Sequence, residues 1–91
     1  MNSWKYWLQV ASKYYGISSK ELLKAGRSNL RAKSTFYWLL FKDGIDLYKT
    51  SVAIGKRRNT IAQFINTSVT KEPNRYRDKS AEEYLLSKSK N

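Results

Sequence analysis

The chain has 91 residues, 14% of them aromatic, and its 18 Lys and Arg against 7 Asp and Glu leave a net charge of +11 at pH 7. It contains neither Cys nor His, which excludes disulfides, the common zinc sites and His-based acid–base chemistry. The run Phe36-Tyr37-Trp38-Leu39-Leu40-Phe41 is far short of the roughly 20 apolar residues that cross a bilayer.

Residues 3–15 read as a helix. Trp4, Trp7, Leu8, Ala11, Tyr14 and Tyr15 recur at the helical period, with Ser3 placed to cap the start and Gly16 to end it. Trp4 and Trp7 are expected in the core. Ser18-Ser19-Lys20-Glu21 has the spacing of a capping box and opens a short helix over 20–25, with Leu22 and Leu23 inward and Gly26 as its stop.

A longer helix is expected over 28–42. Ala32, Phe36, Leu39 and Leu40 share one face, and Asp43-Gly44 terminates it. This should be the central helix. Asp46 caps the next, over 47–54, whose apolar content is Leu47, Val52, Ala53 and Ile54. Gly55 is then a turn, and Ile61, Phe64, Ile65 and Val69 hold a further helix, 58–69, to the core. Two short helices joined by a tight Gly turn form a helix-turn-helix unit.

Pro73 breaks the pattern. Ser80-Ala81-Glu82-Glu83 repeats the capping-box spacing, so a short helix is expected over 81–88, with few apolar residues to dock it. The expected class is all-α, a five- to six-helix bundle containing a helix-turn-helix. Residues 1–70 form the folded domain in this reading, and 71–91 a polar tail that can be deleted without unfolding it.

The cations have a pattern of their own. Residues 1–70 carry twelve Lys and Arg against three acids, so the excess lies on the folded part, and a basic face points to a polyanion. Lys24, Arg27, Arg31 and Lys33 form one cluster at the junction of the second and third helices. Lys56, Arg57 and Arg58 form another, between Gly55 and the start of the helix at 58–69. Cations are electrostatically unfavourable at a helix start, whereas anions bind there. Three adjacent cations at that position therefore call for a partner that offsets them.

Phosphates set affinity through Lys and Arg, while recognition-helix residues read bases. The Arg fork matches guanine O6 and N7, so Arg57 and Arg58 are the expected base readers. Asn59, Thr60 and Gln63 follow on the exposed face. Double-stranded DNA is the expected partner, with no metal, cofactor, small-molecule substrate or membrane. The few carboxylates, of which Glu82 and Glu83 are the close pair, do not suggest an enzyme. The N-terminal residues lack a secretory pattern, so the expected location is the cytoplasm, on the nucleoid. A second reading is a protein-interaction module that kept the fold and lost base reading, with Trp4, Tyr6, Trp7 and Tyr84-Leu85-Leu86 as its contact surface. Packaging of DNA by charge alone is a third.

The order of these features resembles the C-terminal DNA-binding domain of the bacterial replication initiator DnaA. The resemblance runs from Val10-Ala11 and Tyr15-Gly16-Ile17-Ser18 through Glu21-Leu22-Leu23 and the basic loop at 24–27. It continues in Ala32-Lys33 and Trp38-Leu39-Leu40 and ends at Ile54-Gly55-Lys56-Arg57-Arg58-Asn59-Thr60-Ile61. That last segment is similar to the family signature Gly-Gly-Arg-Asp-His-Thr-Thr-Val. Residues 8–69 are covered.

The resemblance implies a Trp-repressor-like helix-turn-helix that binds duplex DNA, with Arg27 as a minor-groove arginine and Lys33 at a conserved basic position of the family. Lys56 stands where the family has Arg, Thr60-Ile61 match Thr-Val, and Asn59 replaces Thr. Arg57 and Arg58 replace the Asp-His pair that reads bases in the family. Asp accepts a hydrogen bond from cytosine and Arg donates to guanine, so the preferred base should differ. No Walker motif occurs in this sequence. The resemblance therefore implies DNA recognition without the initiator's ATP chemistry, in a regulatory or accessory role in replication or transcription, on a host, phage or other mobile element.

Overall fold

The computed structural model describes residues 3–24, 28–57, 61 and 76–89. They form five helices: α1 (Trp4–Tyr15), α2 (Ser19–Leu23), α3 (Leu30–Lys42), α4 (Leu47–Ile54) and α5 (Lys79–Ser89). The described residues contain no strand. No helix among them is long and apolar enough to cross a membrane. The expected helix at 58–69 lies outside the described residues except for Ile61, which is fully buried in the core.

Local chemistry sets the helix ends. The Ser3 hydroxyl accepts the Tyr6 N–H, Ser18 accepts the Glu21 N–H, and the Asp46 carboxylate accepts the N–H groups of Tyr48 and Lys49. Each satisfies donors that a helix start leaves without partners. Gly16 ends α1 in the left-handed region, φ 68°, which only glycine enters at little cost. The Gly16 N–H then bonds the Lys13 carbonyl, and the Ile17 N–H the Ser12 carbonyl, which turns Ile17 back toward the core.

The start of α5 differs from the capping-box reading. The cap is Asp78, whose carboxylate accepts the Ala81 N–H at 3.1 Å, so the helix begins at Lys79 and Ser80 lies inside it. An ionised carboxylate near a helix start also meets the macrodipole favourably.

Helix α3 is the centre of the molecule, and α1, α2 and α5 all pack on it. Every residue from Ala32 to Leu40 is buried, so it has no solvated face along that length. The single apolar stripe read from the sequence understates this. Its polar residues are enclosed because they find partners. The Tyr15 hydroxyl lies 2.7 Å from Thr35 Oγ1 and donates to Asp78 Oδ2 at 2.9 Å, so Thr35 donates to Tyr15. These bonds link α1, α3 and the start of α5. Trp7, fully buried, donates its indole N–H to Asp43 at the end of α3, at 2.9 Å.

The C-terminal segment is not a loosely attached tail. Ala81 and Leu85 are buried, and Glu82 is 3% exposed. The Arg77 guanidinium lies 3.7 Å from the centroid of the Trp38 ring and forms an ion pair with Glu82 at 3.3 Å. A planar cation on an aromatic face, forked to a buried carboxylate, supplies docking that a count of apolar residues misses.

Helix α4 also departs from its apolar reading. Val52 and Ala53 are exposed, while Thr50 and Ser51 are buried. Leu47, Thr50, Ser51 and Ile54 share the inward face, at spacings of three, four and seven. The two hydroxyls donate to backbone carbonyls of Asp46 and Tyr48, so their burial leaves no polar atom unpaired.

Burial is the main cause that pushes the Tyr15 phenol up to about 12. Donation from Thr35 opposes it, and the Asp78 carboxylate adds to it. Burial alone pushes Tyr37 up to about 12. Both protons are held more tightly in the fold than in the unfolded chain. Their stabilisation is therefore complete below about pH 10 and is lost as pH rises toward about 12. Melting temperature should fall across that window, and Tyr15→Phe should flatten part of the fall. Thermal denaturation followed by circular dichroism at several alkaline pH values checks this. A fall equally steep in the variant contradicts it.

Candidate nucleic-acid interface

Three helices end in the same backbone turn, and the residue after the turn differs at one of them. After α1 it is Ile17 and after α3 it is Ile45, both packed against the core. After α4 it is Lys56. Gly55 takes φ 71°, its N–H bonds the Val52 carbonyl, and the Lys56 N–H bonds the Ser51 carbonyl at 2.9 Å. The position that usually carries an apolar contact carries a cation instead.

The basic run is thus held at Lys56 by a backbone bond, and Ile61 is fixed by burial. Lys56 is half-buried and Arg57 exposed. Arg58, Asn59, Thr60 and Gln63, the other residues expected on the recognition helix, lie outside the described residues, as does Arg27.

The other expected cluster meets this one in space. Lys24 caps the end of α2 and is exposed. Arg31 is exposed in the first turn of α3. Lys33, one turn into α3, is only 5% exposed. Its ammonium is held below the usual lysine range, first by burial, then by the charge of Lys56, with Glu21 opposing and Lys24 adding a smaller push. Lys33 of α3 is therefore within reach of the charges of Lys24, at the end of α2, and of Lys56, in the turn after α4.

Lys33 corrects the sequence reading, in which it is a surface contact for phosphate. At 5% exposure it is packed into the fold and is not an open surface position. Glu21 is the residue sequence reasoning missed. Read as half of a capping box, it is also the acid closest in effect to the cluster, and its place one turn before Lys24 on α2 was the available signal.

The start of α3 adds positive potential of its own. Asn29 sits in the left-handed region at φ 56° and makes no side-chain cap, and no acid stands in the first turn. A helix start favours negative charge, and here the sequence supplies Arg31 and Lys33 instead. An anion at this end would supply what the chain does not.

Because burial disfavours the Lys33 charge in the fold, Lys33→Met should raise the melting temperature near neutral pH. In the wild type that cost is present while Lys33 is charged in both states. It is relieved as pH rises from the depressed value toward 10.5. A lower melting temperature for the Met variant at neutral pH contradicts this reading.

Two residues named for a protein contact, Trp7 and Leu85, are buried in the core and unavailable to a partner. Trp4 and Tyr6 are partly exposed, and Tyr84 is exposed. Compared with known protein families, curated proteins and solved structures, the chain matches none.

Proposed function

We propose that this protein is a sequence-preferring duplex-DNA-binding module of the helix-turn-helix type, similar in design to the DNA-binding domain of the DnaA initiator. The observation that carries the reading is that Lys24, exposed at the end of α2, and Lys56, half-buried in the turn after α4, both act by their charge on Lys33 of α3. Like charges gathered in a fold repel one another, and a polyanion offsets the repulsion. Arg31 and Arg57 are exposed on two of the same elements.

In this mechanism Lys24, Arg31 and Lys56 bind phosphates, and Lys33 strengthens the field behind them. Arg57, exposed after the Gly55 turn, would enter the major groove, where its fork takes guanine O6 and N7. Arg58, Asn59, Thr60 and Gln63 would extend base contact along the following helix, and Arg27 would reach the minor groove.

Selection of bound sequences from a random duplex pool tests the reading. The expected result is an enriched motif containing guanine. Arg57→Ala should then weaken the preferred site by about 1–3 kcal/mol and random duplex by little, because a lost base contact is sequence-dependent. Lys24→Ala or Arg31→Ala should weaken all duplexes alike. Equal losses on every duplex for Arg57→Ala would make it an electrostatic anchor and remove base reading from the proposal.

A further inference from the structure

Helices α1 and α5 both pack on α3 and leave a groove of about 380 Å³ between them. Its walls are Tyr6, Val10, Lys13 and Tyr14 from α1, and Tyr84, Leu85 and Lys88 from α5. The α1 residues form one stripe, at spacings of four, seven and eight. Val10 and Leu85 give an apolar floor, with Leu85 buried. Tyr14 is 46% exposed and Tyr84 54% exposed, so both rings are open to solvent.

The rim has a single sign of charge. Lys13 and Lys88 are exposed, and no carboxylate lines the groove among the described residues. The Lys88 ammonium lies 5.7 Å from the centroid of the Tyr84 ring, so aromatic face and cation are presented together. The Tyr14 and Tyr84 rings are 6.0 Å apart and tilted by 43°. Sandwiching a flat ring between them needs about 7 Å, two contact distances. A flat ligand would therefore lie on the platform the rings form.

A volume in the usual range for a ligand site, an aromatic platform, an apolar floor and two cations at the rim match a base with its phosphates. We propose that the α1–α5 groove binds an unpaired nucleotide, stacking the base on Tyr14 and Tyr84 and holding its phosphates with Lys13 and Lys88. A duplex hides its base faces by stacking, so this site is separate in chemistry from the duplex interface and uses different residues. It stands whether or not the duplex reading holds.

The test measures binding of fluorescent oligothymidylate, about twelve nucleotides long, by anisotropy at near-physiological salt, where charge alone binds weakly. Tyr14→Ala and Tyr84→Ala should each weaken it by about 5- to 100-fold, while Tyr84→Phe, which keeps the stacking face, should bind like the wild type. Both alanine variants should bind duplex unchanged. Lys56→Ala should do the reverse, weakening duplex and sparing the single strand. Circular dichroism confirms that each variant is folded; both rings are about half exposed, so their removal leaves the core intact.

Competition with thymidine monophosphate separates the two sources of this chemistry. Displacement at concentrations comparable to the oligonucleotide assigns the site to a free nucleotide, and no displacement assigns it to a strand. Wild-type affinity for oligothymidylate in both alanine variants would overturn the proposal. So would an equal loss in Lys56→Ala, since charge alone would then account for binding. Failure of duplex selection with loss of single-strand binding in the tyrosine variants would instead leave this site standing and remove the duplex one.

Discussion

Truncation after residue 75 should unfold the protein or leave it barely folded at room temperature. Helix α5 contributes Ala81 and Leu85 to the core, and Leu85 alone is worth about 2–5 kcal/mol against a cavity in its place. Its loss also bares Trp38, which the Arg77 guanidinium covers, and removes the Asp78 carboxylate from the Tyr15 hydroxyl. That hydrogen bond adds about 1 kcal/mol. Together these approach the total stability of a chain this size, about 5–14 kcal/mol. Urea denaturation of the truncated chain checks the expectation, and a midpoint close to that of the full chain contradicts it. The milder Arg77→Ala should cost about 2 kcal/mol, because it leaves Glu82 buried without its ion pair.

Trp7→Ala should be the most damaging single substitution in α1. The ring is fully buried against the core, edge-on to Tyr6 at 5.0 Å, and its N–H holds Asp43 where α3 ends. Removing a ring of this size from a core costs about 3–5 kcal/mol. Trp7→Phe keeps much of the volume and separates the contributions: it should cost about half as much, leaving Asp43 without the indole donor. Equilibrium denaturation of the two variants measures both. Equal and small effects would place the ring outside the core.

The helix ends were the most legible part of the fold because their causes are local. Ser3, Ser18 and Asp46 cap with their own side chains, and Gly16 and Gly55 take the left-handed conformation expected of them. At α5 two capping signals compete within a few residues. Asp78 prevails over Ser80 and also bonds Tyr15, 63 positions away, a partner no local pattern reveals. The burial of Lys33, Ser34 and Thr35 was not legible for a similar reason, since polar residues on a helix read as solvated until their partners are known. Docking of α5 was hidden because residues 71–91 read as a polar tail with few apolar residues, and the stacking of Arg77 on Trp38 depends on tertiary packing. For the interface, composition and spacing supplied the cation types and the Gly55 turn. That Lys24 and Lys56 act on Lys33 depends on how α2, α3 and α4 pack, which no local pattern states.

The most direct test of the central claim compares two charge-matched triple variants on duplex DNA across a range of salt. One replaces Lys24, Arg31 and Lys56 by Ala. The other replaces Lys5, Lys42 and Lys79 by Ala, exposed lysines that lie outside the cluster. Each variant loses the same three charges. If the clustered cations are the duplex interface, the cluster variant should reduce the slope of log affinity against log salt by about 2.7, the value for three lost phosphate contacts. The control variant should keep the wild-type slope. Equal reductions in both variants would show that net charge alone holds the DNA and would contradict the proposed interface.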